Sequence, residues 1–66
     1  MTKARRIQEE LEGAGYEGFR VVQSLTFSDC RGCGAREVYG AVRVQKGRIN
    51  RVACGLDCAR GILEGN

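Results

Sequence analysis

Four cysteines set as Cys30-x₂-Cys33 and Cys54-x₃-Cys58, with twenty residues between the pairs, constrain this chain more than any other feature. Two close pairs joined by a hairpin-length spacer bring four thiolates around one ion, the Cys₄ pattern of a structural zinc site. The chain has no His, so imidazole acid/base chemistry and mixed Cys/His ligation are excluded. A staple is also what the size demands. A chain of 66 residues buries only about 60% of its unfolded surface, and such cores rarely supply more than ~3–5 kcal/mol. The apolar 42% is rich in Ala and Val and includes only four aromatics: Tyr16, Phe19, Phe27 and Tyr39. Structural zinc contributes an apparent ~10–16 kcal/mol in small peptides at neutral pH.

Two disulfides would staple the chain as well, so the compartment matters. Met1 to Glu10 carries Lys3, Arg5 and Arg6 but no apolar h-region, and does not read as a secretory signal. No run approaches the roughly 18 apolar residues of a membrane span. The expected setting is cytoplasmic, without a membrane partner, where close cysteine pairs bind metal more often than each other. Among metals, Cys₄ iron is the rival to zinc.

The formal charge is +3, and four ligating thiolates with one dication reduce it to about +1. Its distribution says more. Residues 1–30 hold four basic and five acidic groups, net −1. Residues 31–56 hold Arg31, Arg36, Arg43, Lys46, Arg48 and Arg51 against Glu37 alone, net +5, and residues 57–66 return to −1. The positive charge sits with the cysteines.

Residues 2–13 predict an amphipathic helix, capped by Thr2 and stopped by Gly13 and Gly15. Ala4, Ile7, Leu11 and Ala14 form its apolar stripe. Its charges oppose the macrodipole, partly offset by Arg5–Glu9 and Arg6–Glu10 pairs. Phe19 to Phe27 alternates as one half-buried strand with Phe19, Val21, Leu25 and Phe27 inward, Val22 and Gln23 being its imperfections. Val38–Gln45 and Arg48–Ala53 read as a hairpin about Lys46-Gly47, with Gly40 marking a bulge or close approach. Leu56–Leu63 predicts a short closing helix packing through Ala59, Ile62 and Leu63.

In Cys30-Arg31-Gly32-Cys33-Gly34 the two-residue gap allows a tight turn, and Gly34 supplies the positive φ that points following N–H groups at a thiolate. In Cys54-Gly55-Leu56-Asp57-Cys58 the spacing places Cys54 at a strand end and Cys58 in the first helical turn, near the positive helix terminus. Cys30, Cys33, Gly34, Cys54, Cys58 and Ala59 together resemble the treble-clef-like zinc fingers of the TRASH, MYM and FCS group, over residues 30–63. They are also similar to a small zinc protein of the archaeal and eukaryotic large ribosomal subunit. That group usually has an aromatic before the third cysteine and Ser after it; this chain has Ala53 and Gly55. The resemblance implies one structural metal and a local treble clef. Group members bind nucleic acid, proteins or heavy metals.

The expected architecture is one α+β domain over 1–66: helix plus strand in 1–29, then a zinc-binding module in 30–63, ordered helix, strand, zinc turn, β-hairpin, helix. The expected cofactor is one structural Zn²⁺ on Cys30, Cys33, Cys54 and Cys58. A shell closed by four thiolates leaves no open position for catalysis. With no nucleophile-plus-base pattern and no phosphate loop, the reading is not an enzyme and has no small-molecule substrate. Arg43, Lys46, Arg48 and Arg51, with no acid between Val38 and Leu56, make the hairpin a candidate nucleic-acid surface. Arg43 and Arg51 are expected to share one face, and Arg48, Asn50 and Val52 the other. The same charges would equally serve a solvated edge that discourages strand-to-strand aggregation. The alternative function is a protein-interaction adaptor, for example a phage-encoded regulator, docking through an acidic helix end and a basic hairpin. Metal sensing ranks third and rests on the resemblance.

Overall fold

The computed structural model describes residues 2–30 and 33–65. Helix α1 runs Lys3–Gly13 and helix α2 Leu56–Leu63. Between them lie β1 Arg20–Gln23, β2 Phe27–Ser28, β3 Val38–Tyr39, β4 Val42–Lys46 and β5 Ile49–Ala53. The strands form an antiparallel three-stranded sheet in the order β1-β4-β5 and a separate β2-β3 pair. None of the helices is long and apolar enough to cross a membrane.

The N-terminus of α1 behaves as its sequence requires. Thr2 is extended and its side chain accepts from the Arg5 N–H at 3.2 Å, satisfying one of the orphan donors of the first turn. Ala4, Ile7 and Leu11 are buried on one stripe. No acid occupies the first turn and no base the last, so the macrodipole goes uncompensated and docking must hold the helix. Among the described residues one ion pair forms, the exposed Arg5–Glu9 at 3.7 Å; the expected Arg6–Glu10 pair does not close.

Strand register sorts the sheet residues by face. Val21 pairs with Val44 and that with Arg51, while Gln23, Val42 and Ala53 align in the next inward row. This face meets both helices. Ala4, Ile7 and Leu11 of α1, Val21, Val42, Val44 and Ala53 of the sheet, and Ala59, Ile62 and Leu63 of α2 make one buried cluster. Tyr16 and Phe19 pack at its margin. The opposite face carries Arg20, Gln45 and Asn50 in one row and Val22, Arg43 and Val52 in another.

Two sequence expectations shift. The single strand Phe19–Phe27 breaks after Gln23, and β2 resumes at Phe27 on a different partner. The cause lies on the neighbouring strand. Gly40 adopts φ +76 between β3 and β4, so three residues, Ser24 to Thr26, oppose only two, Gly40 and Ala41. This is a bulge that bends both strands. Leu25 and Phe27, expected inward, are 81% and 66% exposed. The hairpin turn is Gly47-Arg48 rather than Lys46-Gly47, because Lys46 pairs with Ile49. Gly47 takes φ +59 there, which a two-residue hairpin loop requires.

Candidate metal centre

The four cysteines come from three local structures. Cys30 follows β2 through Asp29 and is 2% exposed. Its N–H donates to the Ala35 carbonyl at 2.7 Å, and its carbonyl accepts from Gly34 N–H at 3.1 Å. Gly34 has φ +76, as its position after Cys33 predicts. Asp29 closes the loop by accepting from the Glu37 N–H at 3.0 Å, with Glu37 at φ 52. Arg31 and Gly32, the middle of the expected x₂ turn, lie outside the described residues. Cys54 directly follows the last residue of β5, and Cys58 stands in the first turn of α2 after the extended Gly55 cap. Both are placed as the three-residue spacing predicts.

The four ligand sulfurs all lie within 4.8 Å of one another. Cys33 Sγ is 3.3 Å from Cys54 Sγ, which is 3.5 Å from Cys58 Sγ. Bonded sulfurs would stand about 2.05 Å apart, and all four cysteines are free thiols. Four sulfurs at the Zn–S distance of about 2.3 Å define tetrahedron edges of about 3.8 Å. The cluster brackets that value. A donor set of four soft sulfurs suits zinc or iron and excludes magnesium or calcium, so the residues fit a metal.

The thiols also show why a cation belongs among them. Burial pushes Cys30 up, but the backbone groups of Cys33 and Cys54 and the thiols of Cys33 and Cys58 outweigh it and bring Cys30 down to about 6. Cys54 is pushed up to about 12, first by its hydrogen bonds with Cys33 and Cys58. Cys58 is raised by burial, with Cys54 opposing. Once one thiolate forms, its neighbours resist ionising beside it; a dication removes that resistance and releases protons as it binds. Lys3 adds positive charge nearby, its ammonium donating to the Cys54 carbonyl and tying α1 to the cluster.

The basic candidates are not gathered on one surface. Arg43 projects with Val22 and Val52 on the face away from the helices, while Arg51, aligned with Val44, belongs to the helix side. Arg43 and Arg51 therefore do not share a face, because adjacent pairs in an antiparallel ladder point oppositely. Lys46 lies on the helix side with Ile49, and Arg48 is an exposed turn residue. Asn50 and Val52 do share a face, and it is Arg43's: its Nη1 donates to Asn50 Oδ1 at 3.1 Å.

Sequence reading missed two features. Gln23, taken as a flaw in the alternation, is a hydrogen-bonding node. Its Oε1 accepts from Ala4 N–H at 3.2 Å, and its Nε2 donates to the Gly40 and Ala41 carbonyls at 2.9 and 3.2 Å. The second is the aromatic pair Phe27–Tyr39, with ring centroids 5.2 Å apart and planes tilted 55°. A polar residue at an inward position of a strand signals the first; nothing local signals the second, which needs the β2-β3 register. No protein-family model, curated protein or solved structure matches this chain.

Proposed function

We propose that this is a non-catalytic cytoplasmic protein built on one structural zinc, held by Cys30, Cys33, Cys54 and Cys58 in a treble-clef-like arrangement, and that its basic β4-β5 hairpin contacts nucleic acid. The observation carrying the reading is the convergence of four free thiols within 4.8 Å. Saturation by protein sulfur leaves no open coordination position, which favours a structural over a catalytic ion. The spacing that resembles the TRASH, MYM and FCS fingers agrees with this role. For nucleic acid, the support is charge without compensation: among the described residues Arg43, Lys46, Arg48 and Arg51 make no ion pair, and Arg43 is held by a neutral amide.

Native mass spectrometry of the purified protein tests the first half, with one zinc per chain expected. Iron, no metal, or cross-linked sulfurs would refute it. Salt titration of oligonucleotide binding tests the second. Phosphate contacts predict a log–log slope that shrinks by about one for each removed Arg. Replacement of Arg43, Lys46, Arg48 and Arg51 by Ala without change in binding defeats it. The second reading, a protein-interaction adaptor, is favoured by the exposed apolar group Leu25, Phe27 and Tyr39. A single stoichiometric protein partner whose binding survives all four basic substitutions would select it.

A further inference from the structure

We infer that the sheet face away from the helices, continued by the Phe27–Tyr39 pair, binds single-stranded nucleic acid, an inference that rests on the nucleic-acid reading and adds the form of the ligand. Both helices pack on one side of the β1-β4-β5 sheet, and the other side is left open. The six side chains that register places there are Arg20, Val22, Arg43, Gln45, Asn50 and Val52. None is acidic. Arg20, Arg43 and Asn50 are exposed, and Val22 is 38% exposed. Two guanidiniums and two amides on a flat surface offer phosphate contacts and hydrogen bonds to base edges, with valines as apolar floor.

The aromatic pair extends this surface where β1 and β4 give way to β2 and β3. Only four aromatics exist in the chain, and Tyr16 and Phe19 pack against the core. Phe27 and Tyr39 are instead 66% and 69% exposed. Cross-strand contact holds each ring against the other at a 55° tilt, so their faces are not consumed by parallel stacking on one another. Exposed rings beside arginines are a stacking platform for bases, whose π-faces are open only in a single strand. The charge chooses among occupants. An acidic or apolar protein would also meet this surface, but rings plus uncompensated guanidiniums match the alternating bases and phosphates of an unpaired strand.

The experiment is fluorescence anisotropy of the zinc-loaded full chain with a labelled single-stranded oligonucleotide of about ten nucleotides, the scale of a small β-domain site, and with its duplex. Single-strand preference is expected. Phe27→Ala and Tyr39→Ala should each weaken single-strand binding at least about fivefold, and Phe27→Leu and Tyr39→Leu nearly as much, since Leu keeps apolar area but has no ring face. Arg20→Ala and Arg43→Ala should weaken it and flatten the salt slope. Zinc content and thermal melts of each variant confirm folding. If duplex binds as well as single strand, or the Leu variants keep full affinity, the inference is overturned while the hairpin reading stands through its salt slope. If no oligonucleotide binds with salt dependence, both fall together. Retention of a protein ligand by the Leu variants, with oligonucleotide affinity also unchanged, would assign the patch to protein docking and overturn the inference.

Discussion

Removing the metal should release the segment between the two halves of the sheet before it melts the core. No residue from Ser24 to Gly40 belongs to the buried apolar cluster, whose members all lie in α1, β1, β4, β5 and α2. That stretch contains fifteen described residues, and ordering them at ~1 kcal/mol per residue costs about 15 kcal/mol. Its local bonds are few. They are Ser24 N–H to the Ala41 carbonyl, Thr26 N–H to Ser24 Oγ, Cys30 N–H to the Ala35 carbonyl, Gly34 N–H to the Cys30 carbonyl, and Glu37 N–H to Asp29. With the two-pair β2-β3 ladder and about 1 kcal/mol for the Phe27–Tyr39 contact, they return about 7 kcal/mol at ~1 kcal/mol each. The shortfall of about 8 kcal/mol is what a structural zinc, at an apparent ~10–16 kcal/mol, covers with a little to spare. The assay is amide hydrogen exchange by NMR, before and after a strong chelator under reducing conditions. With metal, the Cys30, Gly34 and Glu37 amides should be protected. After chelation they should exchange freely, the melting midpoint should fall, and the Val42 and Val44 amides should lose protection last. Cys54→Ser should reproduce the chelated state. Unchanged protection and an unmoved melt, with the metal demonstrably gone, would refute the reasoning.

Leu11 is fully buried at the centre of the cluster, so Leu11→Ala should cost about 2–5 kcal/mol by denaturant titration of the zinc-loaded chain. Gln23→Leu should cost at least about 2 kcal/mol by the same titration, because the Gly40 and Ala41 carbonyls and the Ala4 N–H lose their partner. Tyr16 donates to the Glu64 carboxylate. That bond, with smaller help from burial and the carboxylate charge and with Arg60 opposing, holds the phenol above its ordinary value. In a Tyr39→Phe background, ultraviolet titration should show phenolate forming above pH ~10, and Glu64→Gln should bring it back toward ~10. Since the folded value lies above the unfolded one, this contact supports the fold fully below pH ~10 and is lost as pH rises through the folded value. Stability unaffected by Glu64→Gln at every pH would deny it that role.

The local parts of the design could be read from the chain, because their causes are local. Thr2 caps α1 through its own hydroxyl, Ala4, Ile7 and Leu11 face inward by helical period, and Cys54 and Cys58 straddle the start of α2 by spacing alone. The break after Gln23 was not readable there. Alternation continues unbroken through Leu25 and Phe27, and the interruption is imposed by Gly40, seventeen positions away, across the sheet. The hairpin register moved by one residue for a similar reason: Lys46-Gly47 and Gly47-Arg48 both satisfy the glycine signal, and pairing of Lys46 with Ile49 decides between them. Because the side-chain period of a strand is two, the face of each Arg follows from long-range pairing rather than from composition. The basic cluster that spacing suggests is thus divided between two faces.

The bend at Gly40 also links the metal to the exposed rings. If β1 and β4 ran straight on, the alternation that buries Val21 would bury Leu25 and Phe27 as well. Bulged, the strands leave the core, and Gln23 satisfies the carbonyls freed at Gly40 and Ala41. Beyond the bend, the β2-β3 arm has almost no apolar burial of its own, since Phe27 and Tyr39 stay two-thirds exposed. It is anchored at its far end by Cys30 and Cys33 meeting Cys54 and Cys58. A two-stranded ribbon is marginal in water by itself. On this argument the ion's structural task is narrow: it holds an arm that the core does not reach, and that arm is the part of the molecule that displays aromatic surface to a partner.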